Sequence, residues 1–230
     1  MNIIMKRIII IAVAVFVFSS LSAITKTQQP GCPNYLKALG LKDNVKNIGA
    51  FTEECNIYDY CTYEFDSMGR LISYNEAETV EAAYYWTLFI DSDGLPTHIE
   101  TVFINYWTEP DANGNPPVTT TRSNIRRVQE GAVVKLFIED SEEGEKQVNV
   151  TLDDKGRIIE VDNLSLGEVH RYRYVDSTNV PYYYNGLLAF PQVDMVGGHR
   201  IDFPSPQNIP ENATSFKYGI WEFEVHYRDD

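Results

Sequence analysis

Alternation of apolar and polar residues dominates the chain from residue 45 onward. β-Branched or aromatic residues recur at every second position in the segments 84–90, 99–107, 118–128, 133–139, 148–152, 157–161, 169–175 and 221–227. This period is typical of β-strands with one buried face. In the last segment Trp221, Phe223, Val225 and Tyr227 share one face, and Glu222, Glu224, His226 and Arg228 share the other. A strand with one solvent-facing side belongs in an antiparallel sheet.

Short turn motifs separate these segments. The form Asp-x-x-Gly recurs at 66–69, 91–94, 111–114 and 153–156, with a looser version at 140–144. In a type I turn the Asp side chain accepts backbone N–H groups, and the Gly adopts the left-handed conformation of the closing bulge. Asn185-Gly186 is a two-residue hairpin signal. The pattern predicts an all-β antiparallel meander of hairpins, with only a short helical turn, over 34–41.

Three of the turn units resemble one another. The segments 63–72 (YEFDSMGRLI), 88–96 (LFIDSDGLP) and 150–159 (VTLDDKGRII) each read as strand, Asp-x-x-Gly, strand. They resemble the YD-repeat (Rhs-type) unit, in which an aromatic-Asp pair leads into Gly-Arg-Leu. The segment 41–48 (LKDNVKNI) resembles the first strand of short exported bacterial proteins that carry such repeats.

The resemblance covers residues 41–175, with departures from the pattern. The second unit has Ile90 before its Asp and lacks the Arg, and the third has Leu152 before its Asp. The repeat spacing is uneven, with 25 positions from Gly69 to Gly94 and 62 from Gly94 to Gly156. The resemblance implies hairpins forming a continuous curved sheet at the cell envelope. It implies no catalytic residue, since large members of the family are usually shells or binding surfaces.

The N-terminal segment has the three parts of a secretory signal. Lys6 and Arg7 precede an apolar run over 8–18, and small residues follow at 19, 20, 22 and 23. Eleven residues span only about 16 Å as a helix, short of a ~30 Å bilayer core, so we expect cleavage after Ala23. A retained anchor over 3–21 is the alternative. The sequence thus divides into a signal peptide (1–23), a polar leader with a short helical turn (24–40) and a single β-rich domain (41–230), exported to the periplasm, cell envelope or exterior.

Charge narrows the range of partners. The full chain has 19 basic and 33 acidic residues, a formal charge of −14. Removing Lys6 and Arg7 leaves 17 minus 33, or −16. Such a chain repels phosphate backbones and anionic lipid head groups, so we expect no nucleic-acid partner and no membrane-surface partner. Cleavage of the signal segment would leave no membrane span. A glycan or a protein remains as the expected partner.

Three cysteines follow the signal segment, in a context that permits disulfides. The short separation between Cys55 and Cys61 suits closure of a hairpin tip, so we predict that these two are bridged. Cys32 with Cys55 is the second choice. Neither a zinc site nor a nucleophilic cysteine is favoured, because no His at ligand spacing and no local base accompanies them.

Catalytic and metal motifs are weak in this sequence. The four histidines are scattered, and the Asp- and Asn-rich stretches at 91–93 and 111–115 suit turns better than a calcium loop. Glu222 and Glu224 share a strand face at a separation that an inverting glycosidase pair would need, but a polar outer face explains them too. We expect no catalytic residue, cofactor or metal.

Aromatic residues provide the remaining lead to function, since the chain has fifteen tyrosines. Tyrosines on an exposed sheet face stack against sugar rings or peptide, so we predict ligand binding by Tyr172, Tyr174, Tyr182 and Tyr184. Packing in the core is the alternative. The proline-rich segment 190–210 is a further candidate binding element. The sequence favours a non-catalytic binding or scaffold module for glycan or peptide, with a glycan-acting enzyme or a partner protein pairing through a sheet edge as alternatives.

Overall fold

The computed structural model describes residues 33–52, 59–79, 83–140, 144–175, 179–201, 203, 209 and 212–228. Two short helices lie in this part of the chain, α1 (Tyr35–Ala38) and α2 (Pro191–Val196). The strands are β1 (Val45–Thr52), β2 (Asp59–Phe65), β3 (Leu71–Thr79), β4 (Ala83–Ile90), β5 (Pro96–Ile104), β6 (Val118–Glu130), β7 (Val133–Asp140), β8 (Gly144–Leu152), β9 (Ile158–Asn163), β10 (Glu168–Arg173), β11 (Tyr182–Tyr183), β12 (Ser215–Tyr218) and β13 (Trp221–Tyr227). The helical turn predicted over 34–41 is present as α1.

The strands form one sheet in the order β11-β10-β9-β8-β7-β6-β5-β4-β3-β2-β1-β13-β12. All neighbours are antiparallel, and the C-terminal hairpin β12–β13 returns to pair with β1. The sheet does not close into a barrel. This confirms the predicted all-β antiparallel meander of hairpins. The sheet edges are β11, of two residues, and β12, of four.

The Asp-x-x-Gly motifs lie in hairpin connections as predicted. Each Asp carboxylate accepts the backbone N–H of the residue two positions later, and each Gly N–H donates to the Asp carbonyl. The glycines have φ between +72° and +84°, a region that favours glycine. Alternate connections of a meander share one end of the sheet. The turns at 66–69, 91–94 and 153–156 therefore define one end, here called the Asp-turn end, and 111–114 lies at the opposite end.

An arginine holds the Asp of each YD-like turn. In the first and third units it follows the Gly directly: Arg70 Nε lies 2.6 Å from Asp66 Oδ2, and Arg157 Nε lies 2.7 Å from Asp153 Oδ2. These bonds satisfy the carboxylate and fix the turn. The second unit has Leu95 at that position, and the carboxylate of its Asp91 is held by Arg127 of β6.

The core lies on one face of the sheet, here called the inner face. There α1, α2 and the segment that follows α2 pack against the strands. Tyr35 stacks on Phe190 with ring centroids 4.5 Å apart, and Tyr63 lies 4.7 Å from Phe190 and 5.1 Å from Phe203. The separation of faces predicted for 221–227 is confirmed. Trp221, Phe223 and Val225 are buried, and the intervening polar side chains are on the outer face.

Helix α2 packs on the inner face and contacts two separate parts of the sheet. Near its start, Gln192 Nε2 donates to the carbonyl of Gly94 at the Asp-turn end, at 2.9 Å. At its end the carbonyl of Met195 accepts from Asn163 Nδ2, at 3.3 Å, at the opposite end. The proline-rich segment 190–210 was considered a candidate binding element. Its described part instead contains this helix and buried core residues, among them Ile201 and Phe203.

The predicted signal peptide and the predicted disulfide involve residues that the structure does not describe. The signal segment 1–23 and two of the three cysteines, Cys32 and Cys55, lie outside the described residues. Within the described part of the chain, no helix is long and apolar enough to cross a membrane.

Candidate binding site

A buried carboxylate, Asp194 of α2, organises the inner face near the end of the helix. It is 3% exposed. Its Oδ2 accepts from Tyr172 Oη at 2.5 Å and from Tyr183 Oη at 2.9 Å, and its Oδ1 accepts from Arg200 Nε at 3.3 Å. The negative charge is thus met by two hydroxyls and one guanidinium, as a buried carboxylate requires.

The tyrosine partners of Asp194 stay protonated. Burial raises the pKa of Tyr172 well above its ordinary value, and the adjacent Asp194 carboxylate raises it further. The pKa of Tyr183 is raised for the same two reasons, in the same order, against the opposing charge of Arg200. Both hydroxyls therefore serve as hydrogen-bond donors, and neither is suited to act as a base.

Arg200 connects this buried group to solvent. Its guanidinium lies 4.5 Å from the centroid of the Tyr183 ring and contacts the His170 imidazole. His170 Nε2 in turn lies 3.1 Å from Glu168 Oε2. These side chains line a cavity of about 320 Å³, here called the Arg200 pocket. Its lining residues are Leu166, Glu168, His170, Asp194, Gly197, Gly198 and Arg200.

A second cavity, of about 310 Å³, lies on the inner face between strands β4–β8 and the end of α2. We call it the inner cleft. Its lining residues are Tyr84, Trp86, Ile99, Thr101, Thr121, Ser123, Ile138, Glu139, Asp140, Lys146, Val148, Asn163, Ser165, Leu166, Met195 and Val196. This volume is at the lower end of the range for small-ligand sites.

The inner cleft lies where none of the described segments covers the sheet. Strand β6 is exposed on both faces over its first half: Thr121 on the inner face and Thr120 on the outer face are both exposed. Tyr84 is 41% exposed, although it lies on the core-bearing side of β4. A central strand with two solvent-facing sides leaves its inner face available to a ligand.

Leu166 separates the two cavities and lines both. It lies in the β9–β10 turn, is 55% exposed, and covers Gly197 so closely that a Cβ on that glycine would be 2.5 Å from Leu166 Cδ1. Gly198 is equally confined, since its Cβ would lie 3.0 Å from the Trp86 ring. The paired glycines let the chain after α2 pass close to both cavities.

The structure disperses the four tyrosines that were predicted to bind ligand. Tyr172 is 3% exposed and donates to Asp194, so it packs in the core. Tyr174 is half-buried, bonds the carbonyl of Ile158 and stacks on the Arg157 guanidinium. Tyr182 is half-buried and packs against the core, whereas Tyr184 is 66% exposed. None of the four lines the inner cleft or the Arg200 pocket. Their role in binding stays a prediction.

The candidate enzymatic pair lies away from both cavities. Glu222 and Glu224 are on the outer face of β13. Glu222 is paired with Lys217, and Glu224 lies 3.7 Å from His226. Among the described residues, no group of three or more His, Cys, Asp or Glu side chains could hold a metal ion.

The fold defines a class, an open antiparallel sheet whose core-bearing face is partly uncovered and forms a cleft. Comparison with known proteins adds no closer relationship. The chain matches no protein-family model, and it matches none of the curated proteins at a significant level.

Several residues of the two cavities were not identified from sequence. Asp194 was not identified because its segment has the composition of a proline-rich loop. The signal that could have found it is Pro191 followed by Gly197, which are typical of the start and the end of a helix. The alternation over 84–90 correctly predicted that Trp86 lies on a strand. Whether its ring lines a cleft depends on which segments pack over the sheet, and alternation does not predict that. Leu166 lies in a turn, and an exposed apolar residue in a turn can indicate a binding surface.

Proposed function

We propose that this protein is a non-catalytic binding module whose ligand occupies the inner cleft. The observation that carries the proposal is the inner face of strands β4–β8, part of which no described segment covers. There aromatic and aliphatic side chains, Tyr84, Trp86 and Ile99, lie next to the hydroxyls of Thr121 and Ser123. A cavity that combines apolar walls with a few hydrogen-bonding groups is the usual form of a ligand site.

The arrangement of polar groups supports binding over catalysis. In the Asp194 cluster the carboxylate is buried and saturated by its donors, and the two hydroxyls have raised pKa values. A glycan-acting enzyme using Glu222 and Glu224 remains the second hypothesis, with the disadvantage that both side chains project from the outer face.

Export and the YD-like units support a location at the cell envelope or outside the cell. The N-terminal segment has the composition of a secretory signal, and the three resembling units form hairpins with the same Asp-x-x-Gly turn. A module of this kind would present its cleft to glycans or peptides. Pairing with a partner through a sheet edge is less well supported, because the edge strands β11 and β12 have only two and four residues.

A matched pair of substitutions on β6 tests the proposal. Thr121→Trp fills the inner cleft, whereas Thr120→Trp places the same ring on the outer face of the same strand. The protein without residues 1–23 is screened on a glycan array and a peptide array. We expect ligands whose binding is lost, by at least about tenfold, in Thr121→Trp and kept in Thr120→Trp. Equal binding by both variants for every ligand found would overturn the proposal.

A further inference from the structure

We infer that the ligand of this module is an extended, uncharged peptide segment that adds as a strand to a free edge of β6. The inference rests on the proposed function and names the ligand class of the same site. It is carried by one feature of the sheet, a stretch of β6 over 118–123 that is paired on one side only. This stretch, here called the β6 edge, is separate from the terminal edge strands β11 and β12.

The β6 edge arises because β6 is longer than its neighbour β7. Strand β6 has 13 residues and β7 has 8. Strand β5 pairs with β6 over 118–124, whereas β7 pairs with it only over 125–130. The Glu139 side chain ends the second pairing by accepting the Asn124 N–H, at 3.2 Å. Among the described residues, no strand is paired with the β6 edge on the side away from β5.

Alternate residues of the β6 edge direct their main-chain groups away from β5. The Asn105 N–H donates to the Pro117 carbonyl, at 3.0 Å, so residue 117 faces β5. In an antiparallel ladder, every second residue bonds to the same neighbour, so the odd-numbered residues of this stretch face β5. The N–H and C=O groups of Val118, Thr120 and Arg122 therefore point to the open side.

These main-chain groups form the pattern that another strand recognises. They recur at every second residue, about 7 Å apart, which is the repeat of an extended polypeptide. Each of these positions offers one donor and one acceptor. A peptide that adds to an exposed sheet edge uses such groups for affinity and side-chain pockets for specificity. The β6 edge therefore favours a peptide as the occupant.

The composition of the β6 edge also suits strand addition. Residues 118–123 have the sequence VTTTRS, in which valine and threonine favour strands. Edges that stay unpaired in natural proteins are usually protected by lysine, proline or a bulge. Here Arg122 is the single charged residue, and the ladder with β5 has no register shift over this stretch. Residues 118–122 are exposed, so both faces of the edge are open to solvent.

An added antiparallel strand would place alternate side chains in the inner cleft. The β6 residues that point to the open side, such as Thr120, have outer-face side chains, and directly opposite residues of two strands share a face. The residues between them in the added strand therefore point to the inner face, where Thr121, Ile138 and Val148 line the cleft. Its lining residues are half apolar and half polar, which suits small β-branched side chains such as valine and threonine.

The charges beside the β6 edge already have partners, which favours an uncharged strand. On the outer face, Arg122 lies 3.8 Å from Glu100, and the Glu139 carboxylate accepts from the main chain of β6. On the inner face, Lys146 lies 2.8 Å from Asp140. A charged side chain in the added strand would have to compete with one of these partners.

The probe for this inference is a capped hexapeptide that alternates threonine and valine. We expect its valines in the cleft, so the threonine N–H groups should donate to β6 and the valine N–H groups should point away. Two further peptides carry N-methyl groups, either on the threonines or on the valines. By calorimetry we expect threonine methylation to weaken binding at least about tenfold, and valine methylation to weaken it less than about threefold. Equal binding by the two methylated peptides would overturn strand addition.

A pair of proline variants tests the edge from the side of the protein. Thr120→Pro removes an N–H that points to the open side, so it breaks no bond to β5. Ser215→Pro is its control on the edge strand β12. The Thr214 carbonyl bonds the Val225 N–H of β13, so the main-chain groups of Ser215 point away from β13.

We expect Thr120→Pro to weaken binding of the unmethylated hexapeptide at least about tenfold, and Ser215→Pro to change it less than about twofold. Circular dichroism establishes that both variants are folded. The methylated peptides decide the question independently of any variant.

The outcomes separate this inference from the proposed function. A ligand whose binding is lost in Thr121→Trp but kept in Thr120→Pro would overturn strand addition and support the binding module. Failure of the hexapeptide to bind would also overturn the inference. A dimer, seen by sedimentation, that Thr120→Pro dissociates would assign the β6 edge to a second copy of the chain and overturn the peptide as its occupant. If no ligand depends on Thr121, the proposed function fails as well.

Discussion

Arg127 of β6 holds the carboxylate of Asp91 in the turn between β4 and β5, with Arg127 Nη2 2.8 Å from Asp91 Oδ2. The same guanidinium lies 3.2 Å from Asp93 and donates to the carbonyls of Leu95 and Pro96. In the other two YD-like units the arginine comes from the unit itself. Here the unit lacks it, and a residue 34 positions beyond Asp93 supplies the same bonds.

Replacement of Arg127 should destabilise the protein more than replacement of its neighbour. Arg127→Met keeps the apolar stem but removes the guanidinium that pairs with two carboxylates and donates to two carbonyls. Because the side chains of Arg127, Asp91 and Asp93 are only 22–35% exposed, we expect a loss of about 2 kcal/mol in the free energy of unfolding. Arg126→Met breaks an exposed pair with Glu145 and should cost less than about 1 kcal/mol. Urea denaturation at pH 7 measures both, and equal losses would contradict this account.

Ionisation of Asp93 should lower the free energy of unfolding as the pH rises from about 4 to 6. Burial, and then the hydrogen bond and charge of Asp91, raise the pKa of Asp93 to about 6, against the opposing charge of Arg127. A raised pKa means that the folded chain holds the proton more tightly than the unfolded chain, so this contribution is lost as the pH passes through about 6. The free energy of unfolding of Asp93→Asn, relative to the parent, should therefore increase between pH 4 and pH 7.

Asp153 provides a control of opposite sign for that experiment. Burial opposes its ionisation, but hydrogen bonds from Arg157 and Lys155 outweigh burial and hold the pKa of Asp153 below its ordinary value. Its contribution to stability is present above the ordinary pKa and lost as the pH falls. Relative to the parent, Asp153→Asn should become less stable as the pH rises from about 3 to 5. If the free energy of unfolding of both variants, relative to the parent, changed with pH in the same direction, the opposite pKa shifts of Asp93 and Asp153 would be contradicted.

Loss of the Asp194 carboxylate should be costly to the fold. Asp194→Ala leaves the Tyr172 hydroxyl buried without its acceptor and removes the partner of Arg200. We expect a loss of about 3 kcal/mol in the free energy of unfolding, because unpaired buried polar groups are heavily penalised. Asp162→Ala on the outer side of β9 should change it by about 0.5 kcal/mol or less. A small effect at Asp194, seen by urea denaturation, would mean that the cluster does not hold α2 in place.

The bridge between Cys55 and Cys61 stays a prediction that peptide mapping can decide. Cys61 lies on β2 opposite Ala50 and is fully buried, whereas Cys55 lies outside the described residues. Closure of so short a loop should contribute about 2 kcal/mol. Non-reducing digestion should yield the 55–61 bridge, and Cys55→Ser should lower the free energy of unfolding by that amount. A bridge from Cys32 to either residue would show the pairing to be wrong.

The meander was predictable because its signals are local. Asp at the first turn position and Gly at the fourth set the conformation of the chain within four residues, and alternation over 221–227 assigns each side chain to a face. The cavities were not predictable in this way. Asp194 and Tyr172 are 22 residues apart in sequence, and Gln192 and Gly94 are 98 apart, so no short window contains their contacts.

The tyrosines show the same division between local and long-range information. The sequence placed Tyr172 on a strand, as the structure does, but whether its face meets solvent or core depends on where α2 packs. Since α2 covers that face, the ring of Tyr172 is buried, and the uncovered surface lies instead over strands β4–β8.

By itself the sequence determined the hairpins, their turn geometry and the acidic character of the chain, because each follows from neighbouring residues or from composition. The tertiary structure alone decided which arginine holds Asp91, which carboxylate is buried, and which part of the inner face stays open. These depend on packing between distant segments, and the packing of one short helix across a wide sheet leaves a cleft that local patterns do not encode.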